Sequence, residues 1–183
     1  AAMRQVFLEL NKSTIQFSTS QIEAGLRADQ MVLHYQPIVS CGDRRLVKLE
    51  ALVRWQHPEF GLIAPNRFVP TAETNPATIG MLTDWVVRTV ARDYATLGQR
   101  LDGIEIAVNV SARDLKRDLP DRLVDILRKS NVPPSALWLE ITETAAFADI
   151  VTTKEVLSRL RLRGIRLALD DFGTGYSSLK VLH

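Results

Sequence analysis

The chain has 183 residues, of which 46% are hydrophobic and 24% charged, and its 23 basic against 21 acidic side chains give a formal net charge of +2. A disordered segment would carry fewer apolar residues and more net charge, and a membrane span would need about 20 consecutive apolar residues, so both classes are excluded. The charge is too small to argue for wrapping a nucleic-acid polymer. The single cysteine, Cys41, makes no internal disulfide, so a reducing, cytoplasmic compartment is expected.

Residues 1–19 show no clear period and read as a linker or expression remnant. Ser20-x-x-Glu23 predicts a capping box that opens a short helix with Ile22, Leu26 and Ala28 on its buried side. Met31 to Val39 reads as a strand and Cys41-Gly42-Asp43 as a turn. Leu46 to Trp55 reads as a second strand, antiparallel to the first. Its alternation places Val47, Leu49, Ala51, Val53 and Trp55 on an apolar face, and Leu46, Lys48, Glu50, Leu52 and Arg54 on the other.

Gln56 to Thr74, with Pro58, Gly61, Pro65 and Pro70, reads as a loop. Asn75 as N-cap and Pro76 as first helical residue open a long helix to Leu97, buried along Ile79, Leu82, Val86, Val87, Val90 and Tyr94. In the third strand Ile104, Ile106, Val108 and Val110 alternate with Glu105, Ala107 and Asn109. A helix from Pro120, with Leu123, Ile126 and Leu127 inward, ends at Asn131-Val132-Pro133-Pro134. The fourth strand, Leu137 to Thr142, sets Leu137, Leu139 and Ile141 against Trp138, Glu140 and Thr142. Thr152-x-x-Glu155 is a second capping box for a helix that Gly164 caps, and the fifth strand runs from Ile165 to Asp170 before a glycine-rich loop, Asp171 to Ser178. Successive strand–helix–strand units specify an α/β chain with a parallel sheet.

Glu50, Asn109, Glu140 and Asp170 each lie in or at the end of a strand, opposite its aliphatic face, with Asp171 adjoining the last. Clustered carboxylates repel unless something compensates them. An all-oxygen set without cysteine favours a hard divalent cation such as magnesium or manganese over zinc. The adjacent aspartates permit one carboxylate to bridge two ions, an arrangement suited to phosphoryl displacement. The alternative is a set of solvated strand-end carboxylates and turn-forming aspartates. Lys48 reads as an ion-pair partner of Glu50, and Arg54 as a phosphate ligand or an exposed strand-end arginine. His34, His57 and His183 lack ligand or triad spacing and read as packing or surface residues. Trp55, Trp85 and Trp138 read as core.

Six motifs occur in order: Tyr35-Gln36-Pro37-Ile38; Glu50-Ala51-Leu52-Val53-Arg54-Trp55; Phe68-Val69-Pro70 with Ala72-Glu73; Asn109-Val110-Ser111; Glu140-Ile141-Thr142-Glu143; and Asp170-Asp171-Phe172-Gly173-Thr174-Gly175-Tyr176-Ser177-Ser178-Leu179. Together they resemble the EAL domain family from about Ile22 onward. The resemblance implies a TIM-type (β/α) barrel with an antiparallel first strand, and hydrolysis of the bacterial second messenger cyclic di-GMP to linear pGpG with Mg2+ or Mn2+. It implies that Glu50, Asn109, Glu140 and Asp170 hold the first ion, that Asp170 and Asp171 serve a second, and that Glu143 steadies the loop after Asp171. Gln36, Leu52 and Arg54 match positions that touch the dinucleotide, Arg54 through phosphate.

The family pattern continues beyond residue 183 into strands carrying a lysine, a glutamate and a glutamine. Residues 20–183 therefore read as the N-terminal part of an EAL domain, an incomplete barrel with about five of eight strands. The alternative to a phosphodiesterase is a non-catalytic cyclic di-GMP receptor or interaction module. A homodimer, and an upstream sensory or diguanylate-cyclase-like domain, are the protein partners expected. A membrane anchor, if the parent protein has one, lies outside this chain.

Overall fold

The computed structural model describes residues 16–97, 103–142 and 150–170, and of Thr142, Ile150 and Asp170 it describes the backbone. The elements are α1 (Thr19–Arg27), β1 (Met31–Val39), β2 (Leu46–His57), β3 (Gly61–Ile63), α2 (Val69–Ala72), α3 (Pro76–Leu97), β4 (Glu105–Asn109), α4 (Leu119–Lys129), β5 (Leu137–Thr142), α5 (Ile150–Leu162) and β6 (Arg166–Asp170). The sheet order is β1-β2-β4-β5-β6, with β3 on β2. β1 and β3 run antiparallel to β2, while β2, β4, β5 and β6 are mutually parallel. The expected α/β architecture with an antiparallel first strand is what forms.

The aliphatic faces behave as their alternation predicts, except at Val47 and Leu169, which are exposed. Ile106, Val108, Leu137, Leu139, Ile141 and Ile165 are buried against Val87, Val90, Leu123, Leu127, Val156 and Leu160 from the helices. The helix layer therefore covers one face of the sheet and leaves the Glu50 face pointing to the barrel interior. No helix of the described residues is long and apolar enough to cross a membrane.

Four local expectations need correction. The first capping box uses Ser18 and Gln21, not Ser20 and Glu23: Ser18 Oγ accepts from the Gln21 amide at 3.3 Å, and the Ser18 amide donates to Gln21 Oε1 at 2.9 Å. Phe17 and Ile22, on either side of this cap, are both buried at hydrophobic-staple positions, which selects the earlier register. Glu23 is thereby free to accept from Thr78 Oγ1 at 2.7 Å, tying α1 to α3, while Ala28 is the exposed C-cap and not a core residue. The segment read as one loop after Trp55 contains the β2–β3 hairpin and α2, elements of three and four residues that are too short to show a period. The second capping box is also displaced, because α5 already includes Ile150, so Thr152 and Glu155 lie inside the helix.

Trp55 is 1% exposed and organises the entrance to the domain. Phe17 and Phe68 pack on its ring at centroid distances of 4.7 and 5.8 Å, and its Nε1 donates to Gln30 Oε1 at 3.0 Å. Gly25 of α1 lies so close that a Cβ there would meet the indole at 2.9 Å. Beside it, His57 Nδ1 accepts from the amides of Glu59 and Phe60 at 3.2 and 3.4 Å, so the hairpin turn needs that nitrogen unprotonated. Burial lowers the pKa of His57, while the charge of Glu59 opposes the shift. A lowered folded-state pKa contributes stability above the unfolded value, about 6.5, and that contribution is lost as the pH falls. The melting temperature of the parent is therefore expected to drop more steeply below that pH than that of His57→Gln. Parallel pH profiles for the two proteins would contradict this account.

Candidate active site

The site begins as a register problem. In the antiparallel pair Gln36 faces Glu50, and in the parallel ladders Glu50 aligns with Ala107, Asn109 with Glu140, Glu140 with Ala168, and Thr142 with Asp170. Directly aligned residues share a face and alternate residues return to it. Gln36, Glu50, Leu52, Arg54, Asn109 and Glu140 therefore share the face opposite the helix layer, and Asp170 occupies a backbone position of the same parity.

These positions climb through the register from β2 to β6. Asn109 lies two residues beyond the partner of Glu50, and Asp170 two beyond the partner of Glu140. Strands of an eight-stranded barrel tilt so that a level ring advances about one residue per strand. The climb runs with the tilt and brings the four positions toward one level, Asn109 and Asp170 being the last residues of β4 and β6.

Two of the four are joined directly. Asn109 Nδ2 donates to Glu50 Oε1 at 2.9 Å, which commits the amide nitrogen to the carboxylate and leaves the Asn109 carbonyl oxygen as a donor atom for a cation. Glu50 and Glu140 are half-buried and Asn109 is exposed. Among the described residues no three His, Cys, Asp or Glu side chains form a metal-sized group. The described donors are two carboxylates and an amide, all oxygen, and their chemistry fits Mg2+ or Mn2+. Asp171 and Glu143 lie outside the described residues. Arg54 is half-buried, with Nη1 donating to the Val53 carbonyl at 2.8 Å. Glu50, Leu52 and Arg54 follow one another on the inward face at steps of about 7 Å.

Beneath this ring lies a second that the sequence reading missed. Lys48, Glu105, Trp138 and Arg166 have the same inward parity, Lys48 and Trp138 one inward step before Glu50 and Glu140, and Glu105 and Arg166 two steps before Asn109 and Asp170, toward the N-terminal ends of β2, β4, β5 and β6. Trp138 Nε1 donates to Glu105 Oε2, Arg166 Nη1 pairs with Glu105 Oε1, and Lys48 Nζ sits 3.6 Å from the centroid of the Trp138 ring. Lys48 is thus placed over an aromatic face and does not form the ion pair expected with Glu50. Trp138 is half-buried inside the barrel and does not pack in the helix-facing core. The alternation that singled out Glu50 carried this signal too.

Comparison with known proteins decides the family. The EAL domain profile matches residues 19–183. The chain belongs to the EAL domain family. It is 45% identical over 166 residues to the cyclic di-GMP phosphodiesterase NbdA of Pseudomonas aeruginosa, covering 88% of this chain and 21% of NbdA. Among solved structures it resembles the MucR phosphodiesterase in complex with cyclic di-GMP, with a TM-score of 0.79 and 38% identity, covering 88% of this chain and 66% of that one. Klebsiella pneumoniae BlrP1, solved as a calcium and cyclic di-GMP complex, superimposes with a TM-score of 0.66 at 29% identity, covering 86% of this EAL chain and 39% of BlrP1. These neighbours are TIM-barrel-like, and the mixed sheet is part of such a barrel wall.

Proposed function

We propose that this EAL chain carries the metal-binding face of a cyclic di-GMP phosphodiesterase that hydrolyses the cyclic dinucleotide to linear pGpG with Mg2+ or Mn2+. The observation that carries the reading is the inward set of Glu50, Asn109 and Glu140, with Asn109 bonded to Glu50 and Asp170 at a backbone position of the same parity. NbdA, a phosphodiesterase of the same substrate, supports it at 45% identity.

In this reading Glu50, Asn109, Glu140 and Asp170 hold the first cation, and Asp170 with Asp171 serve a second. Bound cations would neutralise phosphoryl charge and acidify water for an in-line displacement. Gln36 beside Glu50, and Leu52 and Arg54 above it, orient the dinucleotide, Arg54 through a phosphate oxygen. Glu143 steadies the loop after Asp171. The same reading places the chain in the cytoplasm of a bacterium, as a homodimer and downstream of a sensory or diguanylate-cyclase-like domain.

The test is chromatography of cyclic di-GMP incubated with the protein and manganese. Accumulation of pGpG that stops on adding EDTA and resumes with Mn2+ or Mg2+ is the expected result. Nucleotide binding that persists in EDTA, with no product at any metal concentration, would replace this reading with a non-catalytic receptor.

A further inference from the structure

Two motif residues have no part in the chemistry above, namely Glu73 after α2 and Ser111 just beyond β4. They meet: Ser111 Oγ donates to Glu73 Oε1 at 2.7 Å, across 38 residues of sequence. The direction of this bond is fixed by its neighbours. Ser111 Oγ already accepts the Arg113 amide at 3.1 Å as cap of the turn Ala112–Asp114, so its single proton is available to the carboxylate.

Both ends of the bond are mounted on rigid supports. Glu73 follows a helical turn whose Phe68 and Ala72 are 0% exposed, its amide donates to the Val69 carbonyl at 2.9 Å, and Phe68 packs on Trp55 at the end of the strand that bears Glu50. Ser111 stands two residues beyond Asn109. The Val110 amide between them donates to the Glu140 carbonyl at 2.9 Å, and Asp114 beyond them is held by Arg122. A closed circuit runs from β2 through Trp55, Phe68, Glu73, Ser111 and Asn109 back to Glu50.

We propose that Glu73 and Ser111 are a positioning pair, whose bond fixes the exposed end of β4 so that the Asn109 carboxamide stays beside Glu50 and presents its oxygen to the cation. This rests on the metal reading given under the proposed function. Partners behind a metal ligand are worth about ten- to a hundredfold in affinity, and a pair acting through two residues of backbone belongs at the lower end.

The experiment measures Mn2+ affinity by electron paramagnetic resonance, below the melting transition of each variant. Ser111→Thr and Ser111→Val have nearly the same shape and suit the extended backbone there (φ −68°, ψ 141°), and only the first keeps a hydroxyl. The valine variant is expected to bind Mn2+ about tenfold more weakly and the threonine variant within about threefold of the parent. Glu73→Ala should match the valine variant, Glu73→Gln should retain most of the affinity because its amide oxygen still accepts, and Ser111→Val with Glu73→Ala should be no worse than either alone. Equal Mn2+ affinity for the threonine and valine variants, or additive losses, would overturn the positioning role. Asn109→Ala and Glu50→Ala are measured alongside. If these two also leave Mn2+ affinity unchanged, the metal reading itself fails; if they lose it while the Ser111 and Glu73 variants do not, only the positioning pair fails.

Discussion

Glu50→Gln is expected to reduce hydrolysis of cyclic di-GMP by at least about a thousandfold and to abolish tight Mn2+ binding, with the fold intact. The substitution preserves shape, and the new amide still offers an oxygen to Asn109 Nδ2, which now donates to Glu50 Oε1 at 2.9 Å. What it removes is a full negative charge from the candidate metal site. Charge stabilisation by a cation is worth several kcal/mol in phosphoryl transfer, and each ~1.4 kcal/mol is a factor of ten in rate. Circular dichroism would establish the fold and chromatography the rate. Turnover within tenfold of the parent would remove Glu50 from the chemistry.

The second large effect is on stability. Arg122 on α4 donates to Asp84 of α3 at 2.9 and 3.0 Å, to Asp114 at 3.1 and 3.2 Å, and to Asp118 at 3.2 Å. Burial opposes its charge, yet these hydrogen bonds and carboxylates hold the guanidinium above its ordinary pKa. Asp114 is 0% exposed, whereas Asp84 is half-buried and also pairs with Arg88, and Asp118 is exposed, so Asp114 depends most on the arginine. Removing the arginine strands a buried charge, which typically costs 3–5 kcal/mol. Arg122→Ala should therefore lose about 3 kcal/mol, or roughly 6–12 °C in Tm for a domain of this size, and Arg122→Ala with Asp114→Ala should recover part of that loss. A loss below about 1 kcal/mol, or a double variant worse than the sum, would contradict this account.

How much of this was legible before folding depends on whether the information is periodic or long-range. The shared face of Glu50, Asn109 and Glu140, and the matching parity of Asp170, could be read because the two-residue strand period is a property of the backbone itself. The same period contained Lys48, Glu105, Trp138 and Arg166, but two basic residues, an acid and a tryptophan in four separate strands resemble ordinary surface and core until the ladders align them. The Ser18 cap was hidden by a competing serine two residues later. The choice between them is made by the burial of Phe17, a tertiary event. The bond between Ser111 and Glu73 had no local signal, since neither residue's neighbours encode the crossing that brings them together. Asp171 and Glu143 are outside the described residues.

The close contact of Gly25 with Trp55 bears on how movement at one end of the domain reaches the other. Protein interiors are as dense as organic crystals and yield little to compression. With an indole at 2.9 Å from where a side chain would begin, and Phe17 and Phe68 against the same ring, α1 has no slack along this line. A shift of the entry helix must displace Trp55, and Trp55 adjoins Arg54 on the same strand with its side chain on the opposite face. The tip of the β1–β2 hairpin has no such close-packed line to the interior, because Val39, Leu46 and Val47 there are exposed.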